Sequence, residues 1–296
     1  MVGCIYSSHT LCRIKRQFIV EHLVADLENP SLARLSQALE RISIQLRGPH
    51  LIATLDHPPT RNALTDQLMS ELNQLLDVTA DDNAIRSLVL RGANGVFCAG
   101  ADLKAALVHL DKPPGDTDPI ALMNRSVGEL YAKLNGYPKA VVAVVEGPAF
   151  GGGFGMACCA DMVIVGDNAL FALSETTLGL PPGQIAPYVV GRIGQSAARR
   201  LALSGMRVDA PEALRIGLAD QHCDAQSLET ELTRLLNMIA KCGHNANSVS
   251  KRLILDAAPS IDAAANAFAT CLRDDEGREG VSAFNEKRPA AWVQKI

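Results

Sequence analysis

A valine-rich run that leads into three consecutive glycines is the feature that most restricts how this chain can fold. Residues 140–145 read Ala-Val-Val-Ala-Val-Val, and β-branched residues in so short a run predict a buried strand. Gly151-Gly-Gly153 follows and opens a stretch of small residues that predicts a helix. The first N–H groups of a helix have no partner inside it, so they can be directed at a ligand oxygen. Because glycines carry no side chains, a planar group can lie directly on this backbone.

The length and composition of the chain restrict its class. With 296 residues, of which 48% are hydrophobic, the chain can bury a large core as one domain with at most a small appendage. No apolar run reaches the ~18 residues that a membrane span needs, so we expect a soluble protein with no membrane partner. The net charge is −4 and the basic residues are scattered, which argues against a nucleic-acid partner.

Eight cysteines raise the question of disulfides or a metal site. No two of them form a Cys-x-x-Cys pair, the spacing that is typical of zinc and redox sites. Reduced, mostly buried thiols and no metal site are therefore expected, which favours a cytoplasmic or comparable compartment. The cysteines are Cys4, Cys12, Cys98, Cys158, Cys159, Cys223, Cys242 and Cys271.

Strand and helix patterns alternate from residue 42 onward. Strands are predicted at 42–47, 50–56, 85–90, 140–145, 162–165 and 170–172, and helices after Thr65, near Asp102, at 119–135 and at about 186–204. This alternation predicts an α/β core of successive ββα units over residues 42–225. Residues 226–296 have a helical pattern throughout and predict a C-terminal helical region that packs on neighbouring subunits.

Residues 1–41 are expected to form an N-terminal extension to which we assign no chemistry. Residues 1–20 contain no acidic residue, a composition typical of a transit peptide, although their serine and arginine density is low for one. Leu32, Leu35 and Leu39 predict one short helix within this extension. A second irregular segment, the polar and proline-rich stretch 104–118, predicts a mobile connector.

Two glycine-bearing junctions between predicted strands and helices are the main chemical indication. They are Cys98-Ala-Gly-Ala-Asp102 and Phe150-Gly-Gly-Gly153. One N–H from each can converge on a single carbonyl oxygen, and such a pair of donors stabilises an enolate or a tetrahedral oxyanion. Neither junction has the spacing of a nucleotide-phosphate motif. Tight helix–strand packing is the alternative explanation for the glycines, and the presence of two such junctions in this order makes it less favourable.

Motifs spread over residues 42–292 carry a resemblance to a known family. They are Asn62-Ala-Leu64, Phe97-Cys-Ala-Gly-Ala-Asp-Leu103, Gly147-x-Ala-x-Gly-Gly-Gly153, Asp161, Phe171-x-x-x-Glu175, Gly179 and Ala283-Phe-Asn-Glu-Lys-Arg288. In this order and spacing the chain resembles the crotonase (enoyl-CoA hydratase/isomerase) superfamily. The resemblance implies a spiral of ββα units and an acyl-CoA thioester substrate, with coenzyme A as part of the substrate and no separate cofactor. It also implies a homotrimer or a dimer of trimers built through the C-terminal helices.

The resemblance also assigns site residues by position. It implies that the N–H groups of Ala101 and Gly152 form the oxyanion hole. The residues implied to hold the adenine and pantetheine parts of CoA are Ala63, Ala99, Asp102 and Leu103. Phe284 and Lys287 are implied to reach the CoA of a neighbouring subunit, although a packed aromatic residue and a solvated lysine explain these two equally well.

Glu175 is the candidate acid/base. Hydratases of this superfamily typically use two glutamates, and the resemblance places Glu175 at the second of these positions and Gly155 at the first. One carboxylate suffices for Δ3–Δ2 enoyl-CoA isomerisation, because it can remove and return one proton. One carboxylate also serves for hydration if it activates water and passes that proton to the α-carbon. A non-catalytic CoA-binding protein is the third alternative, against which the presence of Glu175 argues.

The segment 179–194 favours one branch of the superfamily. Its Ile-Ala-Pro-Tyr-Val-Val stretch resembles bacterial enzymes that hydrate 3-substituted glutaconyl-CoA esters. Isohexenylglutaconyl-CoA hydration, from acyclic terpene breakdown, is the first expectation, and 3-methylglutaconyl-CoA hydration is the second. Both substrates carry a distal carboxylate, for which Gln184, Tyr188 and Arg192 are the candidate ligands. For Arg192 alone, an exposed helix arginine is the more favoured interpretation.

Overall fold

A six-stranded sheet lies at the centre of the computed structural model, which describes residues 29–107, 110 and 118–293. The strands in chain order are β1 (Ile42–Arg47), β2 (His50–Leu55), β3 (Ser87–Gly92), β4 (Ala140–Val145), β5 (Pro148–Phe150), β6 (Met162–Gly166), β7 (Leu170–Ala172), β8 (Arg207–Asp209) and β9 (Gln221–Cys223). The large sheet has the order β1-β2-β3-β4-β6-β9, and a small sheet has the order β5-β7-β8. Only the β1–β2 pair of the large sheet is antiparallel.

Helices connect and flank these strands. In chain order they are α1 (Pro30–Ala38), α2 (Asp66–Ala80), α3 (Leu103–Leu107), α4 (Pro119–Asn135), α5 (Gly152–Cys159), α6 (Ala186–Ser204), α7 (Ala210–Arg215), α8 (Leu228–Ala240), α9 (His244–Leu255), α10 (Ile261–Arg273) and α11 (Asp275–Asn285), with short 3-10 helices at Pro58–Thr60 and Glu175–Leu178. The α/β fold with a C-terminal helical region is therefore confirmed.

Some expectations fall on residues outside the described ranges. They concern the transit-peptide-like composition of residues 1–20, the state of Cys4 and Cys12, and most of the connector predicted at 104–118. The described cysteines are free thiols. Among the described residues, no helix has the length and apolar character to cross a membrane.

The valine-rich run forms β4 in the middle of the large sheet. Its residues 141–145 are 0% exposed, because the sheet is covered on both faces. Ala143 is aligned with Leu90 of β3 on one side and with Val163 of β6 on the other. A parallel strand buried on both faces is apolar at every position, which explains why this run lacks the alternation of a half-exposed strand.

The sequence predicted that the chain passes directly from β4 into a helix, and this prediction is wrong. It first forms β5, which joins the small sheet through parallel pairing with β7. At Gly147, between the two strands, a Cβ would lie 2.0 Å from the carbonyl oxygen of Gly95, so the two backbones cross where no side chain fits. Strands β5, β8 and β9 have three residues each, too few to show the two-residue period of a strand.

The helix predicted at 186–204 contains a kink. Gly194 has φ 73° and ψ 162°, values outside the helical region, so α6 consists of two helical pieces joined at this glycine. The left-handed φ is one that glycine adopts without a steric penalty. The first of these two pieces begins at Ala186, two residues after Gln184.

The short helix predicted before residue 40 is present as α1 and packs on the core. Asn29 caps it by accepting a hydrogen bond from the N–H of Ser31 at 2.9 Å, which satisfies one of the free amides of the first turn. Leu32 and Leu35 are 1% and 2% exposed and belong to the same apolar cluster as β1. Residues 30–38 therefore contribute to the core beside the sheet.

An ion pair ties helix α9 of the C-terminal helical region to the core. Asp161 Oδ2 at the start of β6 accepts a hydrogen bond from the N–H of Val141 at 2.7 Å and contacts Lys251 Nζ of α9 at 2.8 Å. The Lys251 and Asp161 side chains are 12% and 27% exposed. Because one carboxylate serves both the sheet and α9, its removal leaves the Val141 amide without its partner. It also leaves the Lys251 ammonium, which still donates to the carbonyl of Lys139 at 3.3 Å, without a counter-charge.

We predict that Asp161→Ala lowers the free energy of unfolding by about 2 to 4 kcal/mol, the cost of an unpaired buried charge and an unsatisfied amide. Urea unfolding followed by circular dichroism measures this change. Asp77→Ala is the matched control, because Asp77 pairs with Lys133 at 2.7 Å on the surface and is 69% exposed. An exposed pair contributes at most about 1 kcal/mol. Equal losses in the two variants would contradict the assigned role of Asp161.

Candidate active site

The two glycine-bearing junctions lie side by side. The loop after β3 runs along β5, where the Cys98 N–H donates to the carbonyl of Pro148 at 3.1 Å and the Phe150 N–H donates to the carbonyl of Cys98 at 3.0 Å. These two bonds hold the loop at residues 98–102 against the N-terminus of α5. The structure thus brings together the two segments that the sequence singled out.

The amides of Ala101 and Gly152 are close to each other. A Cβ added to Gly152 would lie 3.6 Å from the Ala101 nitrogen, and a Cβ added to Gly100 would lie 3.6 Å from the Gly152 nitrogen. Among the described residues, neither amide donates a hydrogen bond. Two free N–H groups at this spacing have the arrangement that stabilises an oxyanion.

The glycines at the start of α5 are required by their surroundings. A Cβ on Gly152 would lie 2.7 Å from Leu64 Cδ1, and a Cβ on Gly153 would lie 2.4 Å from the carbonyl oxygen of Cys98. Gly151 has φ 46° and ψ −110°, which a residue with a side chain adopts only under strain. The backbone can therefore approach the neighbouring loop only with glycine at these positions.

Glu175 places its carboxylate beside this pair of amides. It begins the 3-10 helix after β7, and its Oε1 lies 2.7 Å from the position that a Cβ on Gly151 would occupy. Its Oε2 is buried and has no hydrogen-bond partner in the described part of the chain. Burial raises the pKa of Glu175, and a hydrogen bond from its own backbone N–H partly opposes that shift. A desolvated carboxylate with a raised pKa is a stronger base than an exposed one.

Position 155 has no room for a second carboxylate. A Cβ on Gly155 would lie 2.3 Å from Ile185 Cγ2 and 3.2 Å from Tyr131 Cζ. The packing around α5 therefore requires a residue without a side chain at position 155. The carboxylate that lies next to Gly151, the residue before Gly152, is that of Glu175.

Tyr131 is a residue of the site that the sequence reasoning missed. It is 0% exposed, and its hydroxyl donates a hydrogen bond to the carbonyl of Gly152 at 2.7 Å. Its neighbours Leu130 and Leu134 define the buried face of α4. The sequence signal for this role is a tyrosine on the apolar face of a predicted helix, because a buried phenol hydroxyl requires a hydrogen-bond partner.

The residues expected to hold CoA share a pair of adjoining loops. Leu64 forms a parallel bridge with Ala101, and the N–H of Ala99 donates to the carbonyl of Arg61 at 3.0 Å. Ala63 is 9% exposed. Asp102 and Leu103 follow at the N-terminal end of α3. All four candidates therefore lie next to the pair of free amides.

Asn62 holds these two loops together, a role that its appearance in a motif did not reveal. Its side-chain amide donates to the carbonyl of Val96 at 2.8 Å, and its Oδ1 accepts from the N–H of His57 at 2.7 Å. Asn62 is 1% exposed and has φ 58°, a left-handed conformation that asparagine tolerates better than most residues.

Phe284 and Lys287 lie at the end of α11. Phe284 is 81% exposed, and Lys287, also exposed, has φ 53° after the helix ends. Within the described chain neither side chain hydrogen-bonds to a residue of the site. Their assignment to the CoA of a neighbouring subunit stays a prediction.

The three candidates for a substrate carboxylate have different surroundings. Gln184 donates from Nε2 to Asn124 Oδ1 at 3.0 Å, and the ring of Tyr188 meets that of Tyr131 edge-on at 5.9 Å between centroids. These two therefore lie on the side of the site formed by α4.

Arg192 is held by the protein itself. Its Nε donates to the carbonyl of Leu218 at 3.1 Å, and its Nη2 contacts Asp220 Oδ2 at 2.5 Å. Its Nη1 donates to the carbonyls of Ala160 and Asp161. With all three nitrogens engaged at the end of α5, the guanidinium has a structural role here and is not an exposed helix arginine.

In the described part of the chain, no group of three or more His, Cys, Asp or Glu side chains could hold a metal ion. The chemistry available at the site is that of two backbone amides and one partly buried carboxylate. Such a site can bind a carbonyl oxygen and move one proton.

Comparison with known proteins decides the family. Residues 51–295 match the family described as enoyl-CoA hydratase/isomerase. The chain belongs to this family. Enoyl-CoA hydratase EchA19 of Mycobacterium tuberculosis is 34% identical, over 83% of this chain and 93% of its own. The 2,3-dehydroadipyl-CoA hydratase of Escherichia coli is 30% identical, over 80% of this chain and 92% of its own.

A solved structure shows the same fold. Pseudomonas aeruginosa AtuE is 40% identical and superimposes with a TM-score of 0.82, over 86% of this chain and 100% of its own. The mixed α/β fold with its C-terminal helices is thus the crotonase fold, as the sequence predicted. With relatives named as hydratases, the chain is an enzyme of the hydro-lyase type.

We predict that Gly155→Ala lowers the free energy of unfolding by about 1 to 3 kcal/mol, because the added methyl group overpacks the contact with Ile185. Ile185→Ala removes the obstructing Cγ2 and leaves a cavity. In the double variant the two changes should compensate in part, with a coupling energy of about 1 kcal/mol or more in a double-mutant cycle measured by urea unfolding. Strict additivity would show that Ile185 does not fill the space at position 155.

Proposed function

We propose that this enzyme hydrates the double bond of a 3-substituted glutaconyl-CoA thioester, with Glu175 as its acid/base. The observation that supports this proposal is the position of the Glu175 carboxylate, whose Oε2 is buried, against Gly151, the residue before the amide of Gly152. Because Ile185 and Tyr131 fill the space beside Gly155, we propose a mechanism in which one carboxylate both accepts and returns the proton.

The proposed reaction begins with the thioester carbonyl in the pair of amides. Water adds to the β-carbon, and Glu175 takes its proton as the new carbon–oxygen bond forms. The π electrons of the double bond move toward the carbonyl oxygen, where the N–H groups of Ala101 and Gly152 stabilise the enolate. Glu175 then delivers the proton to the α-carbon, so that one molecule of water has been added and the carboxylate is regenerated.

Gln184 and Tyr188 are proposed to bind the distal carboxylate of the substrate. Gln184 lies against α4, since a Cβ on Gly128 would lie 2.2 Å from its Oε1. Its bond to Asn124 uses one of the two Nε2 hydrogens and leaves the other for a ligand. The named substrate of the Escherichia coli relative, 2,3-dehydroadipyl-CoA, is also a CoA ester of a dicarboxylic acid. Arg192 is not included, because its donors are engaged.

Isohexenylglutaconyl-CoA, from acyclic terpene breakdown, is the substrate that we propose first, and 3-methylglutaconyl-CoA is the second. The Ile-Ala-Pro-Tyr-Val-Val sequence that begins at Ile185 supports this order by resemblance. Leu103 and Leu180, which are 39% and 44% exposed on the segments that follow Asp102 and the 3-10 helix of Glu175, are proposed to contact the longer isohexenyl chain.

A homotrimer or a dimer of trimers is proposed for the assembly. The C-terminal helices expose large apolar side chains, among them Ile254, Ile261 and Phe268 at 80%, 88% and 70%. Exposed apolar surface of this extent is typical of a subunit interface. In such an assembly Phe284 and Lys287 are proposed to contact the CoA of a neighbour.

Δ3–Δ2 enoyl-CoA isomerisation is the second candidate function. The single carboxylate supports it, because Glu175 can remove a proton from one carbon and return it to another while the same amides hold the enolate. This reaction needs no water in the site and no distal carboxylate on the substrate.

A panel of substrates tests the proposed function. We expect kcat/KM for 3-isohexenylglutaconyl-CoA to exceed that for 3-methylglutaconyl-CoA, and both to exceed that for crotonyl-CoA by tenfold or more. Hydration is followed by the loss of absorbance of the conjugated thioester. A preference for crotonyl-CoA would refute the glutaconyl substrates, and faster turnover of a 3-enoyl-CoA would favour the isomerase.

We predict that Glu175→Gln lowers kcat about 1,000-fold or more, within the range that general acid–base catalysis contributes, while the affinity for acetoacetyl-CoA changes little. In the wild type, kcat/KM should fall on the acid side as Glu175 becomes protonated. Because burial raises the pKa of Glu175 above its ordinary 4.5, the midpoint of that fall should lie above pH 4.5. Glu40→Gln, a change of an exposed glutamate next to α2, is the control and should leave both kcat and the pH profile unchanged.

A further inference from the structure

The Gly152 residue lies between two segments of backbone that are each held by hydrogen bonds. Before it, the Gly151 N–H donates to the carbonyl of Ala172 at 2.9 Å, and after it the Gly155 N–H donates to the carbonyl of Gly151 at 3.0 Å. Gly152 itself has no side chain, and its own N–H is free among the described residues. Glycine loses more conformational freedom on ordering than any other residue, so a contact from outside α5 adds to the ordering of this position.

Tyr131 supplies such a contact through its hydroxyl. The hydroxyl donates to the Gly152 carbonyl at 2.7 Å, and it would lie 2.9 Å from a Cβ on Gly152. The tyrosine itself is 0% exposed and is fixed by its packing against Gly155 and the ring of Tyr188. Burial raises the pKa of Tyr131 well above its ordinary value, so the phenol remains a hydrogen-bond donor across the neutral range.

The two peptide planes that meet at Gly152 are therefore held separately. The N–H of Gly152 belongs to the plane shared with the Gly151 carbonyl, which accepts from Gly155. The carbonyl of Gly152 belongs to the next plane, and Tyr131 holds it from α4. With both planes fixed, rotation about the two Cα bonds of Gly152 is opposed, and its N–H keeps one direction.

We propose that Tyr131 is a positioning residue that keeps the Gly152 N–H directed at the thioester oxygen by holding the Gly152 carbonyl. The proposal rests on the function proposed above, in which that N–H is an oxyanion donor. A preorganised donor stabilises charge in the transition state without reorganisation, whereas a mobile one must be ordered in each turnover. Loss of the Tyr131 hydroxyl is therefore expected to affect kcat far more than KM.

The test is Tyr131→Phe, which keeps the ring and removes the hydroxyl. We expect kcat to fall about tenfold to a hundredfold, less than for a direct donor, with KM within about twofold of the wild type. Acetoacetyl-CoA is the spectroscopic probe, because its enolate absorbs in the near ultraviolet and an oxyanion hole increases the bound enolate fraction. The apparent pKa of the bound probe should rise by about one unit in this variant, which corresponds to a tenfold weaker stabilisation of the enolate.

Tyr137→Phe is the matched control. Tyr137 is 2% exposed, and its hydroxyl bonds to Thr79 Oγ1 at 2.6 Å, away from α5. Both variants lose one buried hydroxyl, so a general effect on folding should appear in both melting temperatures. The control should keep the wild-type kcat and the wild-type probe spectrum.

Two results would overturn the proposal, and they are distinguishable. Wild-type kcat and probe pKa in Tyr131→Phe would show that the hydroxyl does not position the amide, while leaving the proposed function intact. A wild-type enzyme that binds acetoacetyl-CoA without increasing its enolate fraction would refute the oxyanion hole itself, and with it the role of Tyr131.

Discussion

The close crossing of two backbone segments is the constraint on which the rest of the site depends. Loop residues 93–102 and the chain from Gly147 to Gly153 approach so closely that added Cβ atoms would meet carbonyl oxygens, at 2.0 Å for Gly147 and at 2.4 Å for Gly153. Interiors packed at this density leave no space to absorb a methyl group. The crossing brings the amides of Ala101 and Gly152, which donate no hydrogen bond within the described residues, close together.

The electrostatics of the site follow from the same packing. Ile185 and Tyr131 fill the space at Gly155, and the Oε2 of Glu175 is buried without a hydrogen-bond partner in the described part of the chain. A carboxylate in such surroundings has a raised pKa, because burial disfavours its charged form. The site therefore places a base of raised pKa, the Glu175 carboxylate, near two N–H donors that stabilise negative charge on a substrate oxygen. A single proton carrier can then serve both the addition of water and the protonation of carbon.

Ion pairs between side chains attach two of the C-terminal helices to the sheet. Helix α9 is attached through the Lys251–Asp161 pair, and α8 through the pairs of Glu229 with Arg47 and Arg91. The exposed apolar side chains of α10, such as Ile261 and Phe268, agree with the assembly proposed above. Phe284 lies on α11 and Lys287 just after it, and within the described residues both side chains are exposed. Their position agrees with the proposal that neighbouring subunits complete each other's CoA sites.

The sequence by itself determined the α/β class, the buried strand at 140–145, the two glycine junctions and the absence of a carboxylate at position 155. These follow from local composition and from residue spacing, which a single chain displays directly. Tertiary structure alone decided that the short strand β5 intervenes before α5, that Arg192 is engaged by Asp220, and that Tyr131 reaches the Gly152 carbonyl. The physical reason is that each of these depends on contacts between residues distant in sequence. Three-residue strands and single buried hydroxyl groups leave no periodic pattern from which such contacts could be predicted.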